Sequence, residues 1–318
     1  MATMTRRPAK AILAVAAAGV FLVLGLAELS LVRAQSSELD WEKAAGGKMS
    51  FDVVSVKRDT NTSVDPNSNV DLGPMDSFSP TGGLLQASNV PLIQYIAFAY
   101  KLSPEEVKLE VQPQLPKWAN TSDYDIVARA GGNPTKDQFR LMMQALLLDR
   151  FKLALRYETK ETPVLALMLD KPGKLGPSLR EHEDGGVPCT TASPNAGIDE
   201  PTTTGGFPVR CGSVVHFQDK KPGVASVGAR AITSLTLTNV LGVWYQTDKP
   251  VVDGTGLGLV DFLLEFTPQR MTNKGMESDP DAPTFDEAMK EQLGLKFESR
   301  TAPVELMIID HIEEPSPN

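Results

Sequence analysis

"NPTKDQFRLMMQALLLDRFKLALRYETKETPVLALMLD" occupies residues 133–170, and "APTFDEAMKEQLGLKFESRTAPVELMIID" occupies residues 282–310. The two stretches make the same physical statements in the same order. Thr135 with Gln138, and Thr284 with Glu287, have the spacing of a capping box, in which each side chain satisfies the other residue's backbone N–H. Phe139, Met142, Met143, Leu146 and Leu147 then recur at helical spacing, as do Phe285, Ala288, Met289 and Leu293, so each copy predicts a helix with one buried stripe. After the helix the period falls to two: Phe151, Leu153, Leu155 and Tyr157 alternate with Lys152, Ala154 and Arg156, and Leu295 and Phe297 alternate with Lys296 and Glu298. A polar turn leads into Pro163 to Asp170 and Pro303 to Asp310, apolar on nearly both faces, with proline at the first position as a central strand requires. The expectation is a helix followed by a β-hairpin, twice, the second turn two residues shorter.

The likeness extends upstream, where Asp123-Tyr124-Asp125-Ile126-Val127-Ala128 matches Asp261-Phe262-Leu263-Leu264-Glu265-Phe266 as a further strand. Before these lie "GGLLQASNVPLIQYIAFAYKL", a strand and an apolar helix capped by Ser88 or Asn89, and "ARAITSLTLTNVLGVWYQ", where threonine and valine set helix and strand periods against each other. "FDVVSVK" (51–57) adds a strand at the start. The fold class expected is α+β: two related lobes from an internal duplication, each a small, mostly antiparallel sheet with helices packed on one face. The lobes are residues 51–172 and 229–313. Residues 173–228, poor in periodicity and rich in turn formers, read as a connector, and residues 314–318 as a tail. Arg58 to Gly82 and Gln269 to Pro283 read as flexible loops.

The chain opens with Arg6, Arg7 and Lys10 before an uncharged apolar run from Ala11 to Ala27, and Val32-Arg33-Ala34 follows with small or apolar residues where a signal peptidase reads. Residues 1–34 are therefore expected to be an export leader and 35–50 a linker. The other reading is an uncleaved anchor, since the run approaches spanning length. Without that leader, which carries a net +3, the formal charge goes from −9 to −12. Such a chain repels phosphate backbones and anionic headgroups, so nucleic acid is excluded as a partner and membrane contact requires the uncleaved segment. An exported compartment is oxidising, and the two cysteines, Cys189 and Cys211, are expected to form one disulfide. Two free thiols or half a metal site are the alternatives, the last lacking a CxxC or ordered histidine neighbours.

The ordered motifs "FDVVSVK", "GGLLQASNVPLIQYIAFAY", "PKWANTSDYDIVARA", "LLLDRFKLALRYETKETPVLALMLDK", "KPVVDGTGLGLVDFLLEF" and "PVELMIIDHIEEPSPN" span residues 51–318. In this order they resemble the uncharacterised soil-associated acidobacterial exported protein family, a domain of unknown function. The resemblance implies an exported protein without known catalysis, some relatives carrying the domain behind a membrane-bound sensor-type metallopeptidase. The chain departs from that pattern at Gly254, where the family has a bulkier residue. The helix-and-hairpin pattern is also similar to the short N-terminal domains of secretins and TonB-dependent receptors, a likeness of fold alone.

Motifs for chemistry are weak. "VVDGTGLG" (251–258) has an aspartate after an apolar strand, as an aspartic protease would, but Gly254 spoils the spacing and no second copy shares the proton. Its glycines open no helix to face a phosphate, so a turn between strands is expected. His182, His216 and His311 have no paired spacing, and "EHEDGG" (181–186) reads as a solvated charge cluster. No GxSxG elbow and no serine three residues before a lysine is present. No catalytic, metal or cofactor-binding set is assigned. Trp118, Asp123 and Tyr124, with Trp244 and Tyr245, are the candidates for lining a groove that binds a peptide, a glycan or an envelope protein. The function expected is a non-catalytic binding or interaction module of the cell envelope. The rivals are a hydrolase of unfamiliar type using Asp253 or Asp123 with a histidine, and a sensor ectodomain anchored by residues 11–27.

Overall fold

Thr135 accepts the Gln138 N–H and Thr284 accepts the Glu287 N–H, while Gln138 and Glu287 reach back to the threonine N–H groups, so both capping boxes form. A computed structural model describes residues 41–60, 65–183, 187–189, 202–217, 223–268 and 281–315. The leader, residues 35–40 of the linker, most of the loop from Gln269 and residues 316–318 of the tail lie outside the described residues.

The strands are β1 (Val53–Asp59), β2 (Asn67–Ser68), β3 (Leu84–Pro91), β4 (Asp123–Arg129), β5 (Ala154–Leu169), β6 (Leu179–Glu181), β7 (Ser213–His216), β8 (Ala225–Thr233), β9 (Val251–Asp253), β10 (Leu259–Phe266) and β11 (Leu295–His311). Between them run α1 (Leu92–Ala99), α2 (Pro104–Glu106), α3 (Lys117–Thr121), α4 (Lys136–Phe151), α5 (Ser234–Tyr245) and α6 (Phe285–Ala288). Helix α2 continues through wider and tighter turns to Gln114, and α6 continues to Leu293. The result is an α+β fold of small, mostly antiparallel sheets carrying helices.

The first sheet has the order β1-β4-β3-β2 and the second β6-β10-β8-β7, with all neighbours antiparallel. The order is the same if β1, β2, β3 and β4 are matched with β6, β7, β8 and β10. A helix follows β3 and another follows β8, each after a β-bulge whose positive-φ residue, Asn89 or Ala231, lies three positions before the helix. Asn89 is thus a bulge residue and not the cap expected; α1 starts behind Pro91 with no side-chain cap. Helix α5 is capped by Thr233, whose hydroxyl accepts the Thr236 N–H at 3.1 Å.

Period-two alternation decides which face of each sheet is dry. Val56, Leu85, Ala87, Val90, Tyr124, Ile126 and Ala128 pack with Tyr95, Ile96 and Phe98 of α1 and with the predicted stripe of α4 in one core, where Tyr124 meets Phe151 edge-on at 5.0 Å. Val227, Ala229, Ile232, Val260, Phe262, Leu264 and Phe266 pack with α5 and with Phe285, Ala288, Met289 and Leu293 in another. Each fully buried large side chain stabilises by about 1.5–3 kcal/mol, so the two stripes suffice to dock the helices.

The two expected hairpins do not form. β5 runs straight through the polar stretch Glu158 to Thr162, and β11 through Ser299 to Ala302, and the two long strands pair antiparallel from Leu169 opposite Leu295 to Leu155 opposite Ile309. Neither stretch contains glycine or asparagine for a tight turn, and threonine favours extended backbone. The ribbon crosses both halves: Leu155, Met307 and Ile309 belong to the first core, Leu167, Leu295 and Phe297 to the second, and Val164, Ala166, Ala302 and Val304 form a small cluster between them with Val252. β9 joins β5 in parallel, so the turn after Asp253 links strands of different sheets. Met168 packs over Gly254: a Cβ there would lie 2.3 Å from its Sδ, so a larger residue would need that side chain to move.

Two further expectations are corrected. Residues 173–228 are no bare connector, since they supply β6 and β7, the two edge strands of the second sheet. Strands of three and four residues are too short to show alternation. The described part of the loop from Arg58 to Gly82 is pinned by α4: Lys136 Nζ donates to Asp71 Oδ2 at 2.9 Å and to the Met75 carbonyl at 2.6 Å, and the fully buried Arg140 donates to Asp76, Asp137 and the carbonyls of Pro74 and Met75. Burial pushes the Lys136 ammonium below its usual range, with Arg140 adding to this against the pull of Asp71. Burial works against the Asp76 charge too, yet Lys101 and Arg140 hold its carboxyl below the ordinary value.

Candidate functional site

With one face of each sheet committed to a core, the chemistry of the other face distinguishes the halves. In the second sheet Asp261 projects from β10 onto that face and is 1% exposed. Its Oδ1 accepts the N–H of the bulge residue Ala231 at 2.9 Å and lies 2.7 Å from His182 Nδ1, while its Oδ2 takes a fork from Arg180, at 3.0 Å from Nε and 2.8 Å from Nη2. The Arg180 guanidinium lies over the Phe207 ring, 4.0 Å from its centre. Asp125 holds the matching place in the first sheet: its Oδ1 accepts the N–H of Asn89 at 2.9 Å, and Lys57 stands opposite it as Arg180 stands opposite Asp261. An aspartate with a basic cross-strand partner therefore latches both bulges. By sequence alone Asp261 stands beside Asp123; the bulge register shifts the match by two residues, to Asp125.

The second sheet's outer face is covered by the chain itself. The segment ahead of β7 lies against it, with Phe207 on Arg180 and Gly206 beside Leu263, where a Cβ would stand 3.5 Å from a Leu263 methyl. Gly228 admits Phe217, since a Cβ there would be 2.9 Å from that ring. Arg230, 5% exposed, donates to the carbonyls of Val187 and Val209. The Cys189–Cys211 disulfide, Cα atoms 5.4 Å apart, closes this cover as the cysteine count predicted. Serine at both positions should lower the unfolding free energy by about 3 kcal/mol in a urea titration, the loop-entropy value for a separation of 22 residues.

The first sheet has no such cover among the described residues. Val127, which matches Leu263, is 44% exposed, and Val53 on β1 is 67% exposed. With the half-exposed Leu84 and the flanking Lys57, Arg129 and Gln86, they form an apolar patch with a polar rim.

The aromatic candidates do not share a groove. Tyr124 is fully buried and Trp118 packs against the same first core; Trp244 and Tyr245 lie on the second, Trp244 with Phe266 at 5.4 Å and Tyr245 with Phe297 at 4.9 Å. Asp123 opens β4 just after α3, opposite Asp59. Asp253 accepts the Thr255 N–H at 2.9 Å and its hydroxyl at 2.7 Å, closing its own turn. The three histidines stay apart: His182 on Asp261, His216 edge-on to Trp244, and His311 on Glu313. The residues sequence reasoning missed are Asp261, Arg180 and His182, for which the only local signal was an aspartate on an otherwise apolar strand.

The fold and this pair of faces define a disulfide-bearing α+β domain with two sheets of like order, one self-covered and one, among the described residues, bare. Among the described residues no helix is long and apolar enough to cross a membrane. The chain belongs to the family described as "Protein of unknown function (DUF3738)", whose model matches residues 93–312. No curated protein and no solved structure matches it.

Proposed function

We propose that the chain is an exported, non-catalytic binding module of the cell envelope that holds a polypeptide segment of an envelope partner on the outer face of its first sheet. The observation that carries this reading is the contrast between Val127 and Leu263: the same position of the same strand order is exposed in one sheet and lies under polypeptide in the other. The fold thus already uses this face to seat a chain segment. The disulfide, the apolar run at residues 11–27 and the resemblance to soil-associated acidobacterial exported proteins support the envelope setting. Asp253 and Asp261, the acids nearest to a catalytic arrangement, hold backbone N–H groups.

Photo-crosslinking residues placed at Val53 or Val127 should give a discrete adduct in cells, and the same residue at Leu148, 59% exposed on α4, should not. Val127→Glu should weaken binding of the identified partner about tenfold, by placing a charge in an apolar contact. Equal labelling from all three positions would remove the proposal. One observation favours the hydrolytic rival: His182 is oriented through Nδ1 by a buried carboxylate, as a general base would be. Turnover of any substrate that His182→Ala abolishes while binding at the first sheet persists would favour that reading.

A further inference from the structure

The end of the ribbon that enters the first core is tied to the segment following α2 by two side chains that act in place of a β-strand. Met307 and Ile309 lie on the edge of the ribbon, because β11 is the outer strand of the order β11-β5-β9. From the segment following α2, Glu110 Oε2 accepts the Met307 N–H at 3.2 Å, Gln114 Nε2 donates to the Met307 carbonyl at 2.7 Å, and Gln114 Oε1 accepts the Ile309 N–H at 3.0 Å. Beside this strap is a crevice with room for about one water molecule. Ser103, Glu105, Glu106, Leu109 and Glu110 line it from the first half, and Asn239 of α5, Pro250, Val251 and Val304 line it from the far side.

The surroundings of the strap offer little to balance a charge on Glu110. Its own segment brings Glu105, Glu106 and Lys108; β11 brings Glu305, Asp310 and His311, and β5 opposite brings Arg156, Glu158 and Lys160, of which Arg156, Lys160 and His311 pair with Glu158, Asp310 and Glu313. β9 follows Lys249 and ends in Asp253, while α1 and α5 contain no charged residue. Burial first and the neighbouring Glu106 second raise the Glu110 carboxyl to about 7, against the pull of the Met307 N–H. Burial likewise raises Glu106, against the two bonds it exchanges with Ser103.

We propose that the Glu110–Gln114 strap on β11 is a proton-controlled latch: it stays closed while Glu110 is neutral and loosens, letting water into the crevice, once Glu110 is charged. The sign follows from linkage. A carboxyl whose closed-state value lies above its free value binds its proton more tightly when closed, so the closed strap is favoured at acid pH. That advantage is lost as pH rises from the free carboxylate range through about 7. The latch is independent of the binding face of the first sheet, and its test does not require a ligand.

The test is hydrogen exchange of the Met307 and Ile309 amides in the full chain, each rate corrected for base catalysis. Protection should fall about tenfold between pH 6 and pH 8, as expected for one ionisation passing through the middle of that range. The Ile126 amide, in the first core, serves as the reference and should stay flat. Glu110→Gln keeps a neutral oxygen for the Met307 N–H, so its protection should not change over that range. Glu106→Gln, which keeps an acceptor for Ser103, removes the like charge and should move the wild-type midpoint to lower pH, giving a second reading if the first variant folds poorly. Flat protection in the wild-type chain, or an equally steep fall in Glu110→Gln, would overturn the latch.

Discussion

Replacing Arg140 with methionine should lower the free energy of unfolding by about 3–5 kcal/mol, the usual cost of removing one partner from a buried charge network. The Arg140 side chain has no exposed surface, and its guanidinium sits 5.7 Å from the Phe98 ring centre. It is the common donor to Asp76, Asp137 and the carbonyls of Pro74 and Met75. Methionine keeps the apolar stem on Phe98 but removes the shared donor. Asp76 and Asp137, 40% and 30% exposed, keep part of their water, so the cost falls on the Pro74 and Met75 carbonyls, which recover a donor only if the loop lifts from α4. The midpoint of a thermal melt should drop on the order of 10 °C. Lys136→Met should cost less, about 1–3 kcal/mol, because its partner Asp71 is 63% exposed and rehydrates in place. Equal losses for the two variants would mean that the loop is not held chiefly by the arginine. Arg140→Lys should fall between them, since an ammonium keeps the charge without the planar fork.

The second large effect is expected at Asp261, and its counterpart Asp125 provides the control. Asp261→Ala should cost about 3 kcal/mol, near the lower bound for breaking a buried ion pair, because Arg180 is 54% exposed and regains water. What water does not readily repair is the Ala231 N–H, presented by a backbone at φ 52°, and the His182 ring, whose side chain is 8% exposed. Asp125→Ala deletes the same kind of bulge latch with a single accepted N–H, so about 1 kcal/mol is expected. Asp261→Asn keeps an oxygen for Ala231 and should lose less than the alanine variant. Urea titrations of the three variants decide it, and matching losses at Asp261 and Asp125 would show that Arg180 and His182 add nothing to the latch.

The self-cover of the second sheet gives these effects a functional bearing. Arg180, held by Asp261, is the platform for Phe207, and Phe207 belongs to the segment closed by the Cys189–Cys211 disulfide. Loss of the latch should therefore loosen the cover in the second half and leave Val53 and Val127 in the first as they are. A binding assay at the first face separates the two halves of the molecule, because it should be insensitive to Asp261→Ala and sensitive to Val127→Glu.

The amino-acid sequence by itself determined what depends on neighbours a few residues apart. The capping boxes at Thr135 and Thr284 and the buried stripe of α4 led by Phe139 are local patterns and appear as read, whereas Tyr124, expected to line a groove, is buried in the first core. The disulfide was legible as well, since two cysteines allow one pairing. What only the tertiary structure decided was the choice of distant partner. Strand β5 lacks a tight-turn residue at Glu158 to Thr162, but its full length is decided by β11, more than a hundred residues later, which offers a matching edge. The same holds for Asp261, whose three partners come from β6, from the residue beyond it and from a bulge in β8. A side chain's period tells which face it takes, but hydrogen-bonding groups on that face are satisfied by whatever the fold brings there, and no local spacing encodes that.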